Sequence, residues 1–443
     1  MRFFRRLFPV FFLVSVAWCL PLRAQEEPDL ELQITGTGFQ KIPLALPPFP
    51  TVSSGELAAS AARGIHQVMQ ADLDFSGYFD LVDPDLFELI PAFSERDVRF
   101  RDWLSIGAQA VFLGKLQIKG QDLAVEGRLY DTSHAADPSA GGGHLIFGKR
   151  YQGDPELDRR IGHKLANDVV HFLTGSDGVF LTKIAFTAQL GPGRKEIFVM
   201  DYDGQRRVQI TNNGSINLSP TWSVDGSRLA YVSFASGKPE IHTIDATGRR
   251  GRVFAREGDL NSAPEWSPDG RSMIYSVSRN GNSEIVSIDL ATSRIRRLTH
   301  HPAIDTSPVY SPTAREIAFT SDRSGSPQIY IMEADGANVR RVTSTGSYND
   351  SAAWSPRGNL LVYVSRVEGR FELVLLDISS GVKRYLTRGT GNNENPRFSP
   401  DGMHLVFSSN RGGSYQIFTM DLTGGHVRRL TQMGASETPD WSR

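Results

Sequence analysis

Short apolar runs bounded by turn residues recur along the C-terminal part of the chain at a fixed interval. The runs LAYVS (229–233), MIYSV (273–277), IAFTS (317–321), LVYVS (361–365) and LVFSS (405–409) stand 44 residues apart. A second series starts at Ile197, Ile241, Ile285, Ile329, Leu373 and Ile417, again in steps of 44 (IFVMD, IHTID, IVSID, IYIME, LVLLD, IFTMD). A third series follows in most units: RVQIT, RRLTH, RRVTS, KRYLT and RRLTQ. Ahead of these, an aromatic residue recurs as Trp222, Trp266, Tyr310, Trp354, Phe398 and Trp441, with a last step of 43. Runs this short, rich in β-branched and aromatic residues and closed by Gly, Asp and Ser, predict strands rather than helices.

Each unit therefore holds four short strands. The tetrapeptide after the aromatic, Ser267-Pro268-Asp269-Gly270 in the clearest copy, suits a type I turn: Pro fixes φ at the second position and Gly accepts the fourth. Four antiparallel strands per unit is the blade of a β-propeller, whose faces are covered by the neighbouring blades. The first unit opens at KIAFT (183–187) without its own aromatic strand, and the last, PDWSR (439–443), has only that strand. The two fragments make one blade, giving a six-bladed all-β propeller closed by pairing its C-terminal strand with its N-terminal part. A linear solenoid would instead leave both fragments as exposed edges.

Residues 25–178 lack this period and predict a small α/β domain, with the propeller over 179–443. GELAASAARGIHQVMQADLDF (55–75) carries Leu57, Ala61, Ile65, Val68 and Leu73 at helical spacing. ELDRRIGHKLANDVVHFLTG (156–175) is a second amphipathic helix stopped by Gly175. Two strands are expected around Lys119-Gly120-Gln121, and a loop over 133–144. The first 24 residues read as a cleaved signal peptide: Arg2, Arg5 and Arg6, an apolar run from Leu7 to Leu22, then Ala24 before the acidic QEEPDLE. No later run reaches membrane-spanning length, so a soluble, exported protein is expected.

Charge and cysteine use narrow the field. Four of the 48 Lys and Arg and none of the 49 Asp and Glu fall in residues 1–24, so residues 25–443 carry 44 against 49, a balance of −5. A mildly acidic chain argues against nucleic acid as partner. The single cysteine, Cys19, lies in the leader, where Trp18 is too bulky for lipoprotein processing, so no disulfide or thiolate metal site is expected.

Catalytic signatures are missing. The chain has no G-x-S-x-G, H-E-x-x-H, P-loop or G-x-G-x-x-G. His163 and His171 suit core and surface positions, and Asp201-Tyr202-Asp203-Gly204 suits a turn. No catalytic residue, cofactor or metal site is expected. One constellation remains. The loops entering the aromatic strands carry Asn217, Asn261, Asp305, Asn349, Asn393 and Ser436, with Thr306, Asp350, Glu394 and Glu437 beside them. A closed ring brings these loops to one mouth of its channel, where a polar, partly acidic funnel would take a peptide or protein loop. The alternative that the acids raise is a propeller hydrolase or lactonase with a metal in the channel.

The chain resembles the TolB family, periplasmic proteins of the Tol–Pal cell-envelope system. WSPDG repeats alone occur in other propellers. The N-terminal segments are more specific: IPLALPPF (42–49), ADLDFSGYFD (71–80), DWLSIGAQAVFLGK (102–115), GRLYDT (127–132) and HKLANDVVHFLTGSDGVFLTKIAF (163–186) match the family in order. The resemblance implies a monomeric, non-enzymatic periplasmic adaptor that supports outer-membrane integrity and constriction at division. It implies binding of the lipoprotein Pal at the channel mouth, by position at Leu260, Asn261, Ala263 and Thr306; the aligned Asn217, Asp305, Asn349 and Glu394 extend that set. It implies binding of TolA through an N-terminal segment, here Asp29, Leu30, Glu31, Leu32, Gln33, Ile34 and Thr35, and makes other outer-membrane proteins further candidate partners. Gln25 to Pro28 and Glu31 depart from the family's usual start.

Overall fold

The computed structural model describes residues 40–90, 98–120, 122–133 and 144–443. The leader and the segment Asp29–Thr35 lie outside the described residues, as does most of the 133–144 loop. The first part forms one five-stranded sheet: β1 (Ile42–Ala45), β2 (Phe79–Leu81), β3 (Ala110–Lys119), β4 (Asp122–Asp131) and β5 (His144–Gly153), in the order β2-β1-β3-β4-β5. β1 runs parallel to β2 and β3, while β3, β4 and β5 are antiparallel. The parallel pairs and β5 were not foreseen, because their hydrophobic runs are short or irregular.

Helices α1 (Glu56–Ser76) and α3 (Asp158–Thr174) pack together on one face of that sheet; a shorter α2 (Phe100–Ser105) lies between them in sequence. The buried stripe of α1 is Ala58, Ala61, Ala62, Ile65, Met69 and Leu73, whereas Leu57 is exposed. The helices approach closely at Gly162, where a Cβ would stand 2.9 Å from Val68 and 3.2 Å from the Ile65 carbonyl. Gly175 ends α3 with φ of +73°, a conformation that favours glycine.

The remaining strands form six four-stranded sheets. The first blade comprises Asn217–Trp222, Arg228–Ser233, Glu240–Asp245 and Arg252–Ala255, and the second starts with Leu260–Trp266. The third, fourth and fifth blades start with Asp305–Tyr310, Asn349–Trp354 and Asn393–Phe398. In the sixth, Ser436–Trp441 pairs antiparallel with Lys183–Gly191, setting Trp441 opposite Ile184. The Lys183 N–H also donates to Ser442 Oγ at 2.8 Å, and Trp441 Nε1 to Thr182 Oγ1 at 2.7 Å. The starting strand of each blade lies against that of the next, so these six strands ring the axis. The turns between first and second strands are those expected. Asp269 accepts from Ser267 Oγ at 2.6 Å and from the Arg271 N–H at 3.0 Å, and these bonds hold its carboxyl below the usual carboxylate range.

A buried polar staple recurs between blades. Leu373 N–H donates to Thr387 Oγ1 at 2.9 Å, Thr387 donates to Glu372 at 2.6 Å, and Asn393 of the next blade donates to the same carboxylate at 3.1 Å. Glu196, Thr211 and Asn217 repeat this between the sixth and first blades, and Gln328, Thr343 and Asn349 between the third and fourth. The first-to-second junction departs from it: Ala255 stands where the others have Thr, and Asn261 Oδ1 is buried without a partner.

The two parts share a continuous core in which Phe75 and Phe180 meet Met200, Tyr202, Ile417 and Trp441. Phe75 at the end of α1 stacks on His404 with centroids 4.0 Å apart, and His404 Nε2 donates to the Phe75 carbonyl at 2.7 Å. Asp72 receives His163 Nδ1 at 2.7 Å and the Tyr202 hydroxyl. Burial pushes the Asp72 carboxyl above its usual range, against the pull of His163 and Tyr202.

The staple yields a direct expectation. Thr387→Val leaves the Glu372 carboxylate and the Leu373 N–H each short of a buried partner, at a cost of about 1–3 kcal/mol. Urea unfolding should show a lower midpoint at unchanged slope; an unchanged midpoint would mean the staple adds nothing.

Candidate functional site: the axial channel and its mouth

Because each axial strand starts at one rim and ends at the other, the channel has two chemically different ends. The starting rim is the mouth foreseen from sequence. Its matched polar residues, however, are not solvated. Asn217, Asp305, Asn349, Asn393 and Ser436 are fully buried, and Asn261 is 1 % exposed. Three of the asparagines serve the staples. Asp305 is gripped instead by Arg323, whose Nη2 lies 3.0 Å from both carboxylate oxygens and whose guanidinium sits over Phe319 and Tyr330. Asn261 donates to the Pro239 carbonyl at 3.1 Å. The expected contact residues Asn217, Asn261, Asp305 and Asn349 are thus buried behind the rim, where polarity at the start of each strand meets a need between blades.

The accessible rim lies one residue on either side. Leu260 is 37 % exposed, and Thr306, Asp350, Glu394 and Glu437 are half-buried. The three acids are held in place: Asp350 by Thr320 at 2.7 Å and Tyr348 at 3.1 Å, Glu394 by the Tyr415 hydroxyl, and Glu437 by Lys195 at 2.5 Å. Burial, reinforced by the like charges of Glu437 and Asp350, pushes the Glu394 carboxyl upward. The rim is thus acidic over the fourth to sixth blades and neutral at Leu260 and Thr306.

Just inside, Ser219, Ala263, Ser307, Ser351, Asn395 and Thr438 all have φ between +48° and +54°. Each marks a bulge that breaks the strand register, and each lines the channel. A non-glycine residue in this region costs roughly 1–2 kcal/mol, so six in one ring are a constraint that the packing enforces. Ala263, expected at the mouth, belongs to this ring. The sequence signal was a proline inside a strand run, as at Pro220, Pro264, Pro308, Pro396 and Pro439.

The far end widens to a cavity of about 310 Å³ walled by Trp222, Trp266, Tyr310, Trp354, Phe398 and Trp441. Glu265, Arg397 and Asp440 project into it from three axial strands, with Arg397 Nε 3.3 Å from Asp440 Oδ1. Glu265 Oε2 is buried without a hydrogen-bond partner. Burial pushes the Glu265 carboxyl up to about 7, and Asp440 adds to the shift while Arg397 opposes it. These charges were missed from sequence because they break the repeat: Thr221, Val309 and Ala353 occupy the same position elsewhere. Among the described residues, no group of three or more His, Cys, Asp or Glu could hold a metal ion. No helix among them is long and apolar enough to cross a membrane.

The family model for the TolB beta propeller domain matches residues 170–390 and 368–443, and that for the TolB amino-terminal domain matches residues 30–137. A Tol-Pal system protein TolB from Roseobacter denitrificans is 33 % identical over 237 residues, covering 53 % of this chain and 52 % of the relative. One from Desulfosudis oleivorans is 34 % identical over 225 residues, covering 50 % and 49 %. The chain thus spans about half the length of the curated relatives it matches. The crystal structure of TolB from Acinetobacter baumannii superposes with a TM-score of 0.76 at 28 % identity, covering 91 % of this chain and 97 % of that one.

Glu265 carries a pH signature. Its folded-state carboxyl titrates near 7 against an ordinary value near 4.5, so the folded chain holds the proton more tightly and stability falls as pH rises through that window. Glu265→Gln should remove this loss, raising Tm at pH 8 more than at pH 5. Equal changes at both pH values would contradict the assignment.

Proposed function

Because the chain belongs to the TolB family, we propose that it is a non-enzymatic periplasmic adaptor of the Tol-Pal system, binding the lipoprotein Pal at the channel mouth and TolA through residues 29–35. In this reading it works as a monomer, with an N-terminal domain over 25–178 and the propeller over 179–443, and supports outer-membrane integrity and constriction during division. The observation that carries the proposal is the mouth itself. Six strained strands, three of them locked from behind by buried asparagine staples, hold a half-acidic, half-neutral rim that needs no rearrangement to receive a folded loop. Rigid display of this kind suits recognition.

The accessible contact set is Leu260, Ala263, Thr306, Asp350, Glu394 and Glu437, with Asn217, Asn261, Asp305 and Asn349 acting from behind as positioning residues. Calorimetric titration with the periplasmic domain of the cognate Pal tests this. Leu260→Glu with Thr306→Arg should weaken binding at least tenfold, on the scale of about 1.4 kcal/mol per decade, while Glu265→Gln at the far end leaves it unchanged. Absence of binding by the unaltered protein would overturn the adaptor reading. Binding indifferent to the rim substitutions would overturn the assigned surface.

A further inference from the structure

The outermost strands carry a belt of arginines, and their circumstances differ around the ring. In most blades an arginine at the first or second position of the fourth strand is engaged by its surroundings. Arg296 donates to the Asp335 carbonyl, Arg340 pairs with Glu316 at 3.1 Å, Arg384 donates to the Leu422 carbonyl, and Arg428 pairs with Asp74 at 3.5 Å. Arg252, in the same position of the first blade, makes no such bond among the described residues. Nor do Arg206 and Arg207 of the sixth blade, Arg249 and Arg250 of the first, or Arg294 of the second find a carboxylate within ion-pair distance among them. All six are exposed. Of the acids near them in sequence, Asp203 pairs with Arg159, and Asp245 and Asp289 accept hydrogen bonds from their own turns.

These arginines form one patch. The turn after the first blade's third strand packs on the sixth blade's outer strand, because a Cβ on Gly248 would stand 2.8 Å from the Ile210 carbonyl. Third strands run from the mouth to the opposite rim, so their following turns lie at the end remote from the mouth. Interleaved with the arginines are exposed apolar side chains: Val208 at 55 %, Val253 at 44 % and Ile295 at 39 % exposure. Unpaired guanidinium groups alternating with exposed aliphatic side chains are what a headgroup layer accommodates, phosphates meeting the forks and short aliphatic groups entering the interface.

We infer that this arc of the sixth, first and second blades is a docking surface for an anionic phospholipid membrane, on which the protein rests without inserting. The contrast with the whole chain supports a local site: residues 25–443 carry a balance of −5, so general charge opposes adsorption while the arc favours it. The N-terminal part covers the far-end turns of the fifth and sixth blades at His404 and Tyr202, so lipid meets the arc beside it, and the mouth at the opposite end stays open to a protein partner.

Co-sedimentation of the purified chain with vesicles tests the inference. At low ionic strength the chain should pellet with phosphatidylglycerol-rich vesicles and stay in solution with phosphatidylcholine alone, and high salt should release it. Arg249→Glu with Arg250→Glu should lower the partition coefficient about thirtyfold or more, each lost contact counting roughly tenfold or somewhat less. Arg366→Glu with Arg370→Glu applies the same charge change to an exposed hairpin of the fourth blade and should leave partitioning within twofold or so of the original. Near-ultraviolet circular dichroism identical among the three proteins excludes loss of fold as the cause. No adsorption to anionic vesicles, or equal loss in both variants, overturns the inference. Displacement by inorganic phosphate at matched ionic strength would assign a free-ion site instead, and equal competition by polyglutamate an acidic polypeptide; either result overturns the lipid surface.

Discussion

Blades that touch only their neighbours need something to fix the angle between them, and apolar packing alone is poorly directional. Here a buried carboxylate or carboxamide receives a hydroxyl from its own blade and an amide from the next. A hydrogen bond that spans the seam must break before two blades can part, and a buried group left without it costs more than the bond contributes when made. The asparagines of that staple open the axial strands, so the geometry between blades and the position of the mouth are set together. The strained bulges follow in the same strands, held in an unfavourable backbone region by a ring that cannot relax one strand at a time.

The joint between the two parts uses different physics. Phe75, His404, Asp72, His163 and Tyr202 combine aromatic stacking with a carboxylate that is buried and therefore dependent on its partners. Tyr202 belongs to the propeller and Asp72 to α1, so moving one part against the other strips a buried acid of its hydroxyl. Charged pairs at the margin, Arg428 with Asp74 and Arg159 with Asp203, lie nearer solvent and contribute less.

Much of this fold was legible because repetition amplifies weak signals. A single run such as MIYSV is ambiguous, whereas five such runs at one spacing are not. The second amphipathic helix and its glycine stop were equally plain. What failed was reading solvent exposure from polarity. Asn217 and Asn349 are as polar as any surface residue, and nothing local reveals that Glu196 and Gln328 wait for them from the preceding blade. Glu265 and Asp440 were passed over for the opposite reason: they occupy a position that is apolar in two other blades, and only the closed ring brings them to one cavity. Leu260 and Thr306 are accessible where the resemblance placed them. Asp29–Thr35 lie outside the described residues.

The sixth blade also bears on the order of events during biosynthesis. Its strands come from both ends of the propeller, and the bond from Lys183 to Ser442 spans 259 positions. Bringing such distant segments together costs about 5 kcal/mol of chain entropy before any contact repays it. The ring therefore stays open until the last strand has emerged, and five blades with two uncovered faces precede the finished molecule. A chain made from its N-terminus meets this problem at the very end of its synthesis. The Phe75 and Tyr202 contact ties the part that emerges first to the first strands of that same blade, whose last strand arrives at the end.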